Sequence, residues 1–290
     1  MKYAIIAATG HLGQAVIKDL LEERGVAPEE IVAIVRNREK AERVLPKGIG
    51  IREAKLRETE KLKAALDGID KVLFISIQPG VGYHRAELQA KAVEALAQAK
   101  VKQVIFTSYA HVETAASPIA YDFLFTENAF KFSGLDYVLV RTNEYLENVA
   151  SFIHQGASTG EFAYCAGEAK VGWALEREYA EGLSKILLAD HPQKIYEFGG
   201  QPHSFADLAA AISQVSGQPV TAHNLGGQAY LEYLQKKVGL SYHQADLLLE
   251  KISPEAAGDM EYDDHDLEKI LGHKLTPFTQ AVGEVLTENY

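Results

Sequence analysis

Short apolar runs alternate with amphipathic stretches through the first half of the chain, and that alternation predicts a parallel sheet wound with crossover helices. Tyr3-Ala4-Ile5-Ile6, inside Lys2–Ala8, has the length of a buried strand. Leu12, Ala15, Val16 and Leu20 then recur at helical spacing. Further strands are predicted at Ile31–Val35, Ile49–Glu53, Lys71–Ile77, Val101–Thr107 and Asp136–Arg141, with helices near Arg38–Val44, Thr59–Leu66, His84–Ala99 and Pro118–Ser133 between them. The result is a six-strand doubly wound unit with its ligand crevice at the carboxyl ends of the strands.

The texture then changes. Strand candidates at Glu161–Tyr164, Lys170–Ala174, Lys194–Phe198 and Val220–Asn224 mix with helices and glycine turns. This predicts a dinucleotide-binding domain over residues 1–150 and a smaller lid over 151–290, with the part around 175–200 packing back on the sheet. Ser204, with Asp207 three residues on, marks a capped helix start, and Thr276-Pro277 reads as a cap followed by proline at the first helical position. No Gly/Ser-rich linker, internal repeat or low-complexity segment separates the halves, so a cleft between them is the natural substrate site.

The first strand ends in Ala7-Ala8-Thr9-Gly10-His11-Leu12-Gly13, a dinucleotide turn with alanine where its first glycine is expected. In such a turn the backbone approaches a diphosphate and the free N–H groups of the following helix face the negative charge. Gly10 and Gly13 keep the roles of close approach and close helix packing. Ala7 is expected to be tolerated through a negative φ with its methyl directed away from the diphosphate, and a positive φ, or a methyl in the diphosphate position, is expected to exclude cofactor binding at this turn. The second strand runs out into AIVRNREK. An acidic residue at that place suits the ribose of NAD, whereas Arg36, reinforced by Arg38 and Lys40, suits a 2′-phosphate and favours NADPH.

Composition narrows the partners. A net charge of -11 repels nucleic acid and anionic membranes on average. Cys165 is the only cysteine, which rules out an intrachain disulfide, a cysteine-rich zinc site and a CxxC redox pair, and leaves it as a half-buried packing residue. No apolar run approaches the roughly 18 residues of a membrane span, and the N-terminal run breaks at Thr9-Gly10 before it could serve as a signal peptide. A cytoplasmic location is expected. There is no GxSxG elbow and no HxH or HExxH pair, so neither an esterase nucleophile nor a metal is expected. The acids around His265 in YDDHDLEK suit a helix N-terminus without a cation.

The AATGHLG turn, IVAIVRN, KVLFIS, VIFTS followed by His111, TENAFKFSGLDYVLVR with Tyr145 and Glu147-Asn148, IYEFGG and DDHDLEKILGH occur in an order that covers nearly the whole chain. In this the chain resembles the NmrA-like branch of the atypical short-chain dehydrogenases, and within it the quinone oxidoreductase type. The resemblance implies an α/β fold with a Rossmann-type doubly wound parallel sheet and a smaller C-terminal α/β substrate domain. It further implies that the Thr9, Gly10, His11, Leu12 and Gly13 stretch holds the diphosphate and Arg36 the 2′-phosphate. Ser76, Ile77, Thr107 and Ser108 would then flank the nicotinamide half, and Asn143, Tyr145 and Asn148 the substrate. Lys55 stands where the family commonly carries an aspartate near the adenine, which puts the adenine contacts in doubt.

The family's tyrosine and lysine pair, four residues apart, is missing. Tyr121 is followed at that spacing by Phe125, and TENAF offers Glu127 and Asn128 where many relatives have lysine. Tyr233 and Lys237 match the spacing on a polar helix, where a solvated face is the better reading. Hydride transfer to a ketone creates a strongly basic alkoxide and needs an acid, whereas a reduced quinone carries a phenolate-like oxygen with a pKa of roughly 10. A site without the pair can therefore still reduce quinones, by stacking the ring on the nicotinamide and excluding water. Two or three of Phe74, Tyr83, Tyr109, Phe123, Phe125 and Tyr145 are expected at the ligand, and His111, at the end of the fifth strand, is a candidate acid or a loop histidine. Two functions fit: NADPH-dependent reduction of a small quinone, with Asn143, Tyr145 and His111 as candidate catalytic residues, or a silent NADP-binding sensor acting on a partner protein. An isomerase of nucleotide sugars would itself want the missing pair.

Overall fold

The computed structural model describes residues 1–77 and 84–288. The first half alternates as β1 (Tyr3–Ile6), α1 (His11–Glu22), β2 (Ile31–Val35), α2 (Arg38–Val44), β3 (Gly50–Glu53), α3 (Thr59–Ala65), β4 (Lys71–Phe74), α4 (Arg85–Ala99), β5 (Gln103–Tyr109), α5 (Ile119–Phe132) and β6 (Tyr137–Thr142). A short 3-10 turn, Leu146–Val149, leads into α6 (Ala150–Thr159), β7 (Glu161–Tyr164), β8 (Lys170–Val171), α7 (Glu176–Leu188) and β9 (Ile195–Phe198). The rest comprises β10 (His203–Ser204), α8 (Phe205–Ser216), β11 (Thr221–Asn224), α9 (Gly227–Lys236), α10 (Tyr242–Lys251), α11 (Ser253–Ala256), α12 (Asp266–Leu271) and α13 (Phe278–Thr287).

The central sheet is parallel, with seven strands in the order β3-β2-β1-β4-β5-β6-β9. The sequence predicts six; the seventh, β9, comes from the second half and pairs with β6 from Leu139↔Ile195 to Thr142↔Phe198. Side chains alternate across each strand, and both faces are covered. Tyr3, Ile5, Ala33 and Leu73 pack under α1, α7 and α12, while Ala4, Ile6, Val32, Val72, Phe74 and Phe106 pack under α3, α4 and α5. Burial on both sides is why these strands read as unbroken apolar runs.

The strand reading runs past the observed end in β4, which stops at Phe74, not Ile77, and is two residues early at both ends of β5. Lys170–Ala174 shortens to β8, because only Lys170 and Val171 pair, with Ser204 and His203; Ala174 forms a single bridge to Tyr145. Ser204 caps α8 as expected, accepting the Asp207 N–H while Asp207 accepts the Ser204 N–H. Thr276 does not cap α13: its N–H and hydroxyl both go to the Glu178 carboxylate at 2.7 and 2.8 Å, and Pro277 takes the cap position. Among the described residues no helix is long and apolar enough to cross a membrane.

Candidate functional site

The strand order of the parallel sheet reverses between β1 and β4, where connections leave to opposite sides and open a crevice at the carboxyl ends. The turn from Ala7 to Gly13 lies at that point. Gly10 donates its N–H to the Ala7 carbonyl at 3.0 Å, and α1 begins at His11. A Cβ on Gly13 would come within 2.7 Å of the Ala7 oxygen and 2.8 Å of the Ala8 Cα, so only glycine lets α1 seat on the turn. A Cβ on Gly10 would meet nothing nearer than 3.4 Å, which leaves its outer face open for a ligand to approach.

Ala7 overturns the expectation of a negative φ: the angle is +66°. The left-handed backbone is the shape that a glycine would have supplied, so the alanine has kept the turn and taken on the strain. A positive φ is thus a property of the intact turn, and the inference from it to a lost cofactor does not hold.

The neighbouring strand ends bring the other candidates alongside. Arg36 follows β2 directly, is exposed, and forms no ion pair among the described residues. Arg38 is committed elsewhere, to the Ile51 carbonyl at 2.8 Å and to Glu42 at 3.6 Å. Lys40 is exposed, its N–H capped by Asn37. At the ends of β4 and β5, Ser76 donates its N–H to the Thr107 hydroxyl at 2.8 Å. Ile77 is held from both sides, its N–H by Gln89 and its carbonyl by Arg85. These bonds fix the floor on which a nicotinamide ring would rest. Ser108 does not join them, because its hydroxyl points the other way and donates to the buried Glu127 at 2.7 Å.

The candidates beyond β5 and β6 divide. His111 itself has a left-handed backbone, φ +45°. Its Nε2 lies 3.0 Å from Asp264, its ring stacks on Tyr262 at 3.5 Å and its N–H donates to Glu197. The histidine thus clasps the 262–264 segment to the sheet. His111, Glu197 and Asp264 are the one group among the described residues whose metal-ligating atoms lie within 4.8 Å of each other. Arg141 already holds the other Glu197 oxygen at 3.0 Å, so the group reads as an ion-pair clasp. Asn143 is buried with its amide spent at both ends, donating to the Met260 carbonyl and accepting the Glu144 N–H. Tyr145 is half-buried and packs edge-on against Tyr179; burial, with Glu176 next in weight, pushes its phenol above the usual 10. Asn148 is exposed and bonded to Glu144.

The missing acid-base pair acquires a structural meaning. Tyr121 and Phe125 are 71% and 56% exposed, on the side of α5 opposite the one that packs on the sheet. The pair with the same spacing on the buried side is Phe123 and Glu127, and the Glu127 carboxylate is consumed by Ser108 and Arg141. Neither pair can donate a proton at the crevice. Of the six aromatic candidates, Phe74 is core, tilted against Phe106, Phe125 points outward, and Tyr83 lies outside the described residues. Tyr109 is buried with its hydroxyl on Asp259, and Phe123 lies beneath Arg85. Tyr145 alone remains half-open at the crevice.

The sequence reading does not single out Glu176. The structure sets it, at the start of α7, against the backbone of Leu12 in the glycine turn, with Glu147 beside it. The two acids are 29 residues apart in the chain, and no local pattern joins them.

Residues 7–161 match the NAD(P)H-binding family. Quinone oxidoreductase 2 of Escherichia coli is 33% identical over 288 residues, 99% of each chain, and an NAD(P)H azoreductase of Xenophilus azovorans is 28% identical over 221 residues, 74% of each. The crystal structure of an NADPH-dependent quinone oxidoreductase from E. coli in complex with NADPH superposes with a TM-score of 0.89 at 31% identity, covering 98% of this chain and all of that one. Triphenylmethane reductase of Citrobacter sp. in complex with NADP(H) gives the same TM-score at 29% identity, covering 98% of this chain and all of that one. The matched span begins at Ala7 and takes in the glycine turn, Arg36, Ser76 and Thr107, and the chain belongs to the NAD(P)H-binding family.

Proposed function

We propose that this protein is an NADPH-dependent quinone oxidoreductase, with NADPH laid along the strand ends from Arg36 through Gly10–Gly13 to Ser76 and Thr107. When bound, the cofactor supplies a hydride at its nicotinamide C4. Its chemistry fits the residues present. The exposed and unpaired Arg36 guanidinium suits a 2′-phosphate, the open face of Gly10 and the N-terminus of α1 suit a diphosphate, and the Ser76–Thr107 pair gives a rigid floor.

The observation that carries the quinone assignment is that α5 offers no tyrosine–lysine pair: Tyr121 and Phe125 face solvent, and Glu127, on the buried side, is taken up by Ser108 and Arg141. Such a site works by orientation, and its acceptor must tolerate added charge without a positioned acid. Quinones do so, and the azo and triphenylmethane dyes named for the relatives are likewise conjugated acceptors. Within residues 151–290, the segments other than α7, β9 and α12, which belong to the sheet and its cover, act as the substrate-covering part, with Tyr145 and Asn148 at the junction. The test is oxidation of NADPH against a panel of quinones beside a cofactor titration. Turnover with quinones and none with simple ketones or aldehydes is expected. Tight NADPH binding without turnover of any quinone would sink the proposal.

A further inference from the structure

Two helix N-termini meet beside the glycine turn. Helix α1 starts at His11, and α7 starts at Glu176. The Glu176 backbone N–H donates to both oxygens of Glu147, at 2.9 and 3.0 Å, so that Glu147 covers the start of α7 from across the chain. The Glu176 side chain is half-buried and takes a hydrogen bond from the backbone of Leu12, one of the groups that a diphosphate would need. A carboxylate therefore already stands in the anion-binding mouth of α1.

Its surroundings are short of positive charge. The adjoining groove, about 420 Å³, brings His11 and Lys18 from α1, Glu147 from the 3-10 turn, and Glu284 and Glu288 from the end of the chain. Arg177, next to Glu176, is drawn off to Glu284 at 2.9 Å and to the Thr276 hydroxyl. The Tyr145 phenol also faces Glu176 and feels its charge. Burial first, and then Glu147, push the Glu176 carboxyl up to about 7, with the Leu12 backbone acting in the opposite direction.

We propose that Glu176 is part of the cofactor's phosphate site: as a carboxylate it holds the Leu12 N–H, and when the diphosphate takes that donor it becomes a neutral acid, so that NADPH binds with uptake of one proton. Like charge drives the step. The diphosphate brings two negative charges to a donor that the carboxylate shared, beside the charge of Glu147, and a neutral acid removes one repulsion. The balance is a proton from solvent, added to a Glu176 oxygen as the cofactor enters and released as it leaves. This inference rests on the placement of the diphosphate at Gly10–Gly13.

The test is calorimetric titration of NADPH into the full chain, in two buffers of different ionisation enthalpy, at several pH values between about 7 and 8.5. Uptake approaching one proton per NADPH is expected near pH 8, with Kd rising up to about tenfold per pH unit there. Glu176→Gln should abolish the uptake, flatten the pH dependence and bind more tightly than the wild type at the alkaline end. NADH, which lacks the 2′-phosphate, should show the same uptake. Binding without uptake, or uptake that survives Glu176→Gln, would overturn the role given to Glu176. If the wild type bound no NADPH at any pH, the cofactor placement itself would fall, and this inference with it.

Discussion

Ala7 holds a left-handed backbone that costs an L-residue about 1–2 kcal/mol, at the point where β1 turns toward α1. Replacing it with glycine removes the side-chain strain but adds freedom to the unfolded chain, which returns about 0.5–1 kcal/mol. Ala7→Gly is expected to stabilise the fold by up to about 1 kcal/mol, read as a shift in the urea midpoint, and a loss of stability would show that the methyl is packed favourably. Arg36 is the residue proposed to set cofactor choice, because it is exposed and forms no ion pair among the described residues, while Arg38 is bonded to Ile51 and Glu42. Arg36→Ala should weaken NADPH by about 1.5–3 kcal/mol, the range for a hydrogen bond to a charged group, and leave NADH nearly unchanged. Equal losses for both cofactors in a binding titration would remove the assignment.

Among the elements, α5 decides the chemistry through what it no longer offers. Its inner face sends Glu127, fully buried, onto Arg141 of β6, which also bonds Glu113 and Glu197. Burial alone would weaken the charge on Arg141, and the three carboxylates outweigh it. The network ties the middle of α5 to the carboxyl ends of β6 and β9, and the members differ sharply in exposure. Glu127→Gln strands a buried guanidinium and should cost about 3–5 kcal/mol, whereas Glu113, half exposed, should cost less than about 1 kcal/mol when changed to glutamine. Denaturant unfolding of the two variants separates these magnitudes. Similar losses would mean that the network is not organised around the buried carboxylate.

For the whole molecule, the pH dependence should divide between chemistry and binding. Because no tyrosine–lysine pair faces the crevice among the described residues, kcat at saturating NADPH is expected to change little between about pH 6 and 8. Binding should carry the dependence, since the Glu176 carboxyl, raised to about 7 by burial and by Glu147, has to be neutral beside the diphosphate; affinity is kept below that pH and lost above it. His111, clasped between Asp264, Tyr262 and Glu197, serves to hold the 262–264 segment on the sheet. His111→Ala should therefore cost less than about tenfold in kcat, where removal of a true general acid would cost roughly a hundredfold or more. A kcat profile that bends near neutrality in the wild type and flattens in His11→Gln or His111→Ala would show that a histidine takes part.

What the sequence alone determined is what local pattern can encode. The apolar runs gave the strands β1 to β6, because burial on both faces leaves an unbroken hydrophobic signature, and the spacing of Gly10 and Gly13 after a strand marked the phosphate turn. Arg36 was legible for the same reason, standing at a fixed offset from a strand end. Tertiary structure decided everything that joins distant segments. It placed β9 beside β6, turned Ser108 and Asn143 inward to Glu127 and Met260, and brought Glu176 and Glu147 to the start of α1. It also fixed the φ of Ala7, which depends on how α1 must seat against the turn and not on the alanine's own preference. Side-chain direction and long-range charge are properties of packing, and a one-dimensional pattern carries neither.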